Sequence, residues 1–169
     1  MPVLRAARRE DGPALGAFAG RVFSEVFGTL YAPEDLGRFV EEAFGPAGLP
    51  AQIASPDYEI RVAEQDGAIT GFAKIGPVVF PGDWGDRTIE LHQLYVAAEQ
   101  RGGGIAPRLM DWALDRGRAR GYDRMVLSVY VDNIRAQRFY ARYGFAEIGR
   151  YEFRVGNQID DDRIWARDL

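Results

Sequence analysis

Three consecutive glycines, residues 102–104, separate a segment with the alternation of a β-strand from the most regular helical pattern in the chain. The strand pattern covers residues 89–96, and the helical pattern covers residues 102–120, with one apolar face made by Ile105, Leu109 and Ala113. Glycine lets the backbone approach a bound group closely, and the first turn of a helix offers N–H groups that have no acceptor within the helix. This order predicts an anion-binding site, although a glycine-rich connection without a ligand fits the same residues.

The spacing of these glycines excludes two common phosphate-binding loops. No Gly-Lys-Ser/Thr sequence follows the glycines, as a P-loop would require. Gly102, Gly104 and Pro107 do not fit the G-x-G-x-x-G pattern of a dinucleotide site. Pro107 suits the first turn of a helix but removes one N–H group that could have bound an oxygen atom. The anion site is therefore expected to belong to another class.

Hydrophobic periodicity along the rest of the chain predicts one continuous domain, residues 1–169, of class α/β or α+β. Helices are predicted over residues 11–27, 33–45, 102–120 and 132–143, and Asp11 is expected to cap the first of them. Strands are predicted over residues 3–7, from Tyr58 to a hairpin turn at Asp66-Gly67, over 69–79, 88–96 and 125–130, and in a hairpin from 145 to the C-terminus. The expected architecture is a mixed sheet flanked by helices.

Composition removes several classes of function. The 169 residues include no cysteine and one histidine, His92, which excludes thiol chemistry and multi-histidine metal centres, so no metal is expected. A net charge of −4 argues against nucleic acid as a partner and favours a cationic one. No window approaches the roughly eighteen apolar residues of a membrane span, and the first residues lack the apolar stretch of a secretory signal. A cytoplasmic protein without a membrane partner is expected.

A second group of residues follows the predicted strand 125–130. On a helix that starts near Asp132, the residues Asn133, Ala136 and Tyr140 share one face. A small residue between two polar ones leaves room for a thin ligand lying across the helix. A half-buried core tyrosine at position 140 is the alternative interpretation.

Together the two groups resemble the GNAT superfamily of acetyl-CoA-dependent N-acetyltransferases. Residues 101–106 match its R/Q-x-x-G-x-G/A signature, and residues 133–145 are similar to its N-x-x-A-x-x-F-Y-x-x-x-G-F run. The resemblance implies a mostly antiparallel sheet and acetyl-CoA as co-substrate, without a metal. It also implies that coenzyme A is bound by Leu94, Tyr95, Val96, Arg101, Gly102, Gly103, Gly104, Ile105, Ala106, Asn133, Ala136 and Tyr140. The pyrophosphate would then lie on the amides of residues 101–106 and the pantetheine along residues 94–96.

The same resemblance implies catalytic roles. Glu90 stands at the family's glutamate position and is the leading candidate for the base, while His92 on the same strand face competes for that role. Tyr140 matches the family's tyrosine and would protonate the departing thiolate, and a backbone N–H near Val96 would stabilise the oxyanion. Because the chain has no cysteine to carry an acetyl group, direct transfer in a ternary complex is expected.

The acceptor is less constrained by the sequence. Phe23, Phe27, residues 34–36, Phe39, Phe153, Gly156 and Asp161 form patterns similar to PaiA-like polyamine N-acetyltransferases, which implies a small amine acceptor. Acidic residues that could recognise an amine are scattered along the chain: Glu34, Asp35, Glu41 and Glu42 on the second helix, Asp83 and Asp86 in a loop, and Asp160 to Asp162. Those of the second helix are the expected attractors of the cation, although most such residues are solvated charges. A protein N-terminus or lysine as acceptor, a non-catalytic coenzyme A sensor and a module for another phosphate compound remain open, as do a monomer and a homodimer.

Overall fold

The computed structural model describes residues 1–169 as one seven-stranded sheet covered by helices. The helices are α1 Gly12–Phe27, α2 Pro33–Phe44, α3 Leu49–Gln52, α4 Ile105–Ala119 and α5 Ile134–Arg142. The strands are β1 Val3–Ala6, β2 Glu59–Gln65, β3 Ala68–Gly76, β4 Thr88–Val96, β5 Arg124–Tyr130, β6 Ala146–Val155 and β7 Gln158–Asp168. The mixed, mostly antiparallel sheet flanked by helices that was expected from the sequence is confirmed.

The sheet contains a single parallel pair, and that pair is short. Its strand order is β1-β2-β3-β4-β5-β7-β6, and every neighbouring pair except β4 and β5 is antiparallel. Strands β4 and β5 pair only from Thr88 to Glu90 on one side and from Arg124 to Val126 on the other. Beyond these residues the two strands separate, which opens the centre of the sheet and leaves the backbone of the second half of β4 without a partner on that side.

Two hydrophobic clusters cover the two faces of the sheet. The first lies under α4 and α5 and includes Ile105, Leu109 and Ala113, the apolar face expected for the glycine-initiated helix. The second lies under α1, α2 and α3 and includes Phe23, Phe44 and other large side chains. The opening between β4 and β5 therefore joins the α4–α5 face to the α1–α3 face.

Strand β4 carries a bulge at His92. In the ladder with β3, Lys74 faces Gln93 and Ile75 faces Leu91, so His92 has no partner. Leu91 and Leu94 both pack into the cluster beneath α4, although a regular strand would direct residues three apart to opposite faces. The bulge therefore changes the direction of the side chains just before the strand separates from β5.

Several local expectations were wrong in detail. Asp11 does not cap α1: its carboxylate accepts a hydrogen bond from the backbone N–H of Arg8 at 2.7 Å and pairs with Arg5. Strand β3 ends at Gly76, before the expected residue 79, because Pro77 cannot donate to the ladder. The short helix α3 was not expected from the sequence.

None of the helices combines the length and apolar character that crossing a bilayer requires.

Candidate active site

One cavity runs through the opening between β4 and β5. It has a volume of about 720 Å³ and extends from the glycine turn, past the separated half of β4 and the start of α5, to the face covered by α1 and α2. Its walls include residues from both ends of this path, such as Gly104 at the turn and Phe39 of α2. A ligand bound at the glycine turn can therefore reach a second ligand that enters from the opposite face of the sheet.

The glycine turn presents unused backbone donors to this cavity. Gly102 and Gly104 have left-handed φ angles of 83° and 85°, a conformation that side chains rarely adopt. Helix α4 starts at Ile105, later than expected, and the N–H groups of Gly102, Gly104, Ile105 and Ala106 donate to no backbone carbonyl. Gly103 instead donates its N–H to the carbonyl of Gln100 at 3.2 Å and does not line the cavity. The turn has the donors that a diphosphate needs at a helix N-terminus.

Four arginines surround the same end of the cavity. Arg101 comes from the turn, and Arg135, Arg138 and Arg142 come from α5. Partial burial and the neighbouring Arg101 lower the pKa of Arg135, as expected where cations are gathered without a counter-anion. Arg135 and Arg138 were missed in the sequence, although their helical spacing from Arg142 could have placed all three on one face. This end of the cavity is suited to phosphate groups.

The separated half of β4 offers further backbone donors. The N–H of Ala97 donates to the carbonyl of Thr70 at 2.9 Å, on the side of β3. Since successive N–H groups of a strand point to opposite sides, the N–H of Val96 points away from β3, toward the cavity. Leu94, Tyr95 and Val96 all line the cavity, so an extended ligand could lie along this edge as an added strand.

Helix α5 places Tyr140 at the opening in the sheet. Asn133 caps this helix, because its side-chain oxygen accepts a hydrogen bond from the N–H of Ala136 at 3.3 Å. Asn133, Ala136 and Tyr140 all line the cavity, as their common helical face predicted. The hydroxyl of Tyr140 makes no hydrogen bond within the protein, and burial raises its pKa to about 12. Tyr140 therefore stays protonated at neutral pH and has a proton to donate.

Glu90 and His92 form a buried pair on the other side of the opening. The Nδ1 atom of His92 lies 3.1 Å from Oε2 of Glu90, and its Nε2 atom lies 2.8 Å from the carbonyl oxygen of Pro77. A carbonyl only accepts, so Nε2 carries the proton and Nδ1 of the neutral ring is an acceptor. Glu90 then holds the proton between them, consistent with burial raising the pKa of Glu90 to about 7 and lowering that of His92. His92 lines the cavity and Glu90 lies behind it.

Lys74, the one lysine of the chain, is buried close to this pair. Its Nζ donates to Oε1 of Gln52 at 2.6 Å and lies 5.0 Å from the centre of the Tyr58 ring. Burial lowers the pKa of Lys74 to about 8, while the negative charge of Glu90 opposes that shift. The positive charge of Lys74 in turn favours the ionised form of Glu90 and opposes the effect of burial. The pKa of Glu90 therefore stays near 7, and its carboxyl group can change protonation state near neutral pH.

The far half of the cavity is aromatic and acidic. Its aromatic side chains come from α1, the segment before α2, α2 itself and β6: Phe23, Phe27, Tyr31, Phe39, Phe44 and Phe153. Asp160 and Asp162 of β7 supply the carboxylates. The second-helix acids expected to attract a cation, Glu34, Asp35, Glu41 and Glu42, do not line the cavity. Three of them are exposed, and the carboxylate of Asp35 instead accepts a hydrogen bond from the N–H of Asn157 in the β6–β7 turn at 3.5 Å. Of the acids that the sequence offers for amine recognition, only Asp160 and Asp162 line the cavity.

Comparison with known proteins identifies the family. Residues 29–145 match the acetyltransferase (GNAT) family. The chain belongs to the GNAT acetyltransferase family. An uncharacterised N-acetyltransferase of Mycobacterium tuberculosis is 35% identical over 94% of this chain and 98% of its own length. An uncharacterised N-acetyltransferase of Lactobacillus delbrueckii is 25% identical over 95% of this chain and 93% of its own length.

Solved structures share the GNAT fold. The chain superposes on the PaiA N-acetyltransferase of Thermoplasma acidophilum in complex with coenzyme A with a TM-score of 0.80, at 20% identity over 100% of this chain and 99% of the other. A ribosomal-protein-alanine N-acetyltransferase of Brucella melitensis gives a TM-score of 0.71 at 23% identity, over 99% of each chain. The GNAT assignment, the acetyltransferase activity and acetyl-CoA as donor, all expected from the sequence, are confirmed.

Proposed function

We propose that this GNAT enzyme transfers the acetyl group of acetyl-CoA directly to a primary amine of a small cationic molecule of the polyamine type. The observation that carries the proposal is the continuous cavity, which joins phosphate-binding donors on one face of the sheet to buried carboxylates on the other. The cavity reaches both faces of the sheet, so the two substrates can enter it from opposite sides, and the chain has no cysteine to hold the acetyl group between two half-reactions. The acetyl group therefore passes from sulfur to nitrogen within a ternary complex.

The donor half of the cavity binds coenzyme A through this chain's backbone. The amides of Gly102 and of residues 104–106 bind the pyrophosphate, while Arg101 and the arginines of α5 supply positive charge around the phosphates. The pantetheine lies along residues 94–96, held by backbone groups that β5 leaves free. Gly103 closes the turn through its bond to Gln100 and acts on the coenzyme only indirectly.

The catalytic side chains, the Glu90–His92 pair and Tyr140, flank the opening in the sheet. The Glu90–His92 pair accepts the proton of the amine through water, because Glu90 lies behind His92. The nitrogen then attacks the thioester carbonyl carbon, and the N–H of Val96 stabilises the oxyanion that forms. As the carbon–sulfur bond breaks, the Tyr140 hydroxyl gives its proton to the departing thiolate. The nitrogen, which still carries one hydrogen more than the amide product, releases it through water, and this proton restores the Tyr140 hydroxyl.

The acceptor class is supported by the far half of the cavity. Its aromatic rings suit the methylene chain of a small amine, and Asp160 and Asp162 suit its positive charge. The fold neighbour from Thermoplasma acidophilum is a PaiA N-acetyltransferase, in agreement with the sequence patterns at Phe23, Phe27 and Phe153. Fold neighbours that act on ribosomal-protein alanine make a peptide N-terminus the alternative.

An acceptor panel tests the proposal. The purified chain is mixed with acetyl-CoA and, in separate reactions, spermidine, 1,4-diaminobutane, a peptide with an N-terminal alanine and a peptide with an internal lysine. Thiol release is followed optically and the acetylated product by mass spectrometry. We expect release with the polyamines and acetylation of their primary amino groups. Acetylation of either peptide with none of the polyamines would replace this acceptor class by a protein acceptor.

The pH profile tests the base. The turnover number, measured with both substrates saturating, should rise with pH through about 7, because the pair accepts a proton only after Glu90 has lost its own. Glu90→Gln keeps a hydrogen bond to His92 but cannot titrate. Its turnover should fall on the order of 10²-fold, and the rising limb should move upward.

The matched variant is His92→Gln, which leaves the carboxyl group in place. Its turnover should fall less than that of Glu90→Gln, and its rising limb should be retained because Glu90 still titrates. If His92→Gln abolished activity while Glu90→Gln kept its turnover and pH limb, the base would be His92.

A further inference from the structure

Strand β7 directs two carboxylates into the cavity. Asp160 and Asp162 are 3% and 8% exposed, and both line the half of the cavity that faces α1 and α2. Asp161 between them points outward, where Arg163 binds both of its carboxylate oxygens at 2.9 Å. The alternation of the strand therefore separates one solvated, paired aspartate from two buried ones.

Neither buried carboxylate has a cationic partner. Asp160 accepts hydrogen bonds from the Tyr31 hydroxyl and from the side chain of Gln158. The carboxylate of Asp162 accepts no hydrogen bond from the backbone, and the hydroxyl of Ser128 is the one donor beside it. Arg163 is committed to Asp161 and Glu147 on the other face of the sheet. Two buried carboxylates without a cation are costly, and they indicate that a ligand supplies the missing charge.

Asp162 lies beside the opening in the sheet. In the ladder between β5 and β7 it is opposite Tyr130, in the part of β5 that is separated from β4, and Asp162, Tyr95 and Tyr140 line the same cavity. Tyr140 belongs to the donor side of the opening, and Asp162 belongs to the acceptor side. A cation bound at Asp162 would therefore lie in the part of the cavity from which an attacking nitrogen approaches the thioester.

We propose that Asp162, supported by Asp160, binds the protonated amino group of the acceptor before that nitrogen is acetylated. This inference rests on the proposed function, because it concerns the acceptor of the same reaction. The ammonium group enters as a cation, gives one proton through water to the Glu90–His92 pair, and attacks as the neutral amine. Asp162 is thus a substrate-binding residue that selects protonated amines and places their nitrogen, whereas Glu90 receives the proton.

Two acceptors of nearly equal shape separate this role from a structural one. The amino group of n-butylamine is protonated at neutral pH, and that of O-propylhydroxylamine is neutral. In Asp162→Asn the kcat/KM for butylamine should fall on the order of 10²-fold, since a charge-assisted contact is lost. The kcat/KM for O-propylhydroxylamine should change by less than about 3-fold, because a neutral nitrogen does not need the carboxylate.

Asp161→Asn is the matched control, since it removes a neighbouring carboxylate that does not face the cavity, and both acceptors should react as with the wild type. Coenzyme A affinity and the melting temperature of Asp162→Asn should not fall, because burial raises the pKa of Asp162 and its charge costs stability.

Equal losses for the two acceptors, or no loss for butylamine, would overturn the proposal. If the wild type acetylated no amine, the proposed function would fail, and calorimetric binding of spermidine to the coenzyme A complex would still test Asp162. Equal spermidine affinity in wild type and Asp162→Asn would then refute its role.

Discussion

Gly104→Asp should weaken coenzyme A binding on the order of 100-fold or more. The new carboxylate would stand at the start of α4, among the N–H groups assigned to the pyrophosphate, and like charges a few ångströms apart repel by several kcal/mol in a partly buried site. A Cβ atom at this position meets no atom within 4 Å, so the substitution places a charge where there is space. Calorimetric titration with coenzyme A measures the loss.

Gly104→Asn provides the control for shape and backbone. Residue 104 has a φ of 85°, and asparagine and aspartate both enter the left-handed region more readily than most residues. The asparagine variant should therefore bind coenzyme A much better than the aspartate variant. Equal affinity of Gly104→Asp and the wild type would refute the phosphate site, and equally weak binding by the two variants would show that backbone geometry, not charge, is responsible.

Tyr140→Phe should lower turnover on the order of 10²-fold or more, with little change in acetyl-CoA affinity. The substitution keeps the ring between Phe139 and Phe145 and removes only the hydroxyl that we assign to protonation of the thiolate. Because that hydroxyl makes no hydrogen bond within the protein, stability should not change. Steady-state rates at saturating substrate, with a melting curve, measure both effects.

Tyr143→Phe is the companion variant on the same helix. The Tyr143 hydroxyl donates to the carbonyl of Pro107 at 3.3 Å and does not line the cavity, so its loss should change turnover only a few-fold. Unaltered turnover in Tyr140→Phe, or an equal fall in both variants, would show that Tyr140 contributes packing and is not the acid.

The donor half of the site was accessible from the sequence because its signals are local. Gly102 and Gly104 supply left-handed angles within a few residues, and the face made by Asn133, Ala136 and Tyr140 follows from helical spacing. Local signals of this kind depend on the chain itself and not on distant contacts. The same is true of the hairpin at Asp66-Gly67, where both residues have positive φ.

The acceptor half could not be predicted because it depends on strand order. Strand β7 inserts between β5 and β6, which places Asp162 opposite Tyr130, and no periodicity in the sequence indicates that insertion. Residues 160–162 are among the acids that the sequence offers for amine recognition, but their pattern does not separate them from solvated charges, and only the fold shows that the first and the third are buried. The bulge at His92 is likewise a property of the ladder with β3. The alternation of a strand predicts that Asp160 and Asp162 share one face of β7, but only the arrangement of the sheet shows that this face lines the cavity.

A crystal structure of the chain with coenzyme A and spermidine tests the central claim, that one cavity holds both substrates for direct transfer. We expect the pyrophosphate on the amides of Gly102 and residues 104–106, the sulfur atom beside the Tyr140 hydroxyl, and one amino group of spermidine between that sulfur and Asp162. Coenzyme A bound away from the glycine turn, or spermidine bound where its nitrogen cannot approach the sulfur, would contradict it.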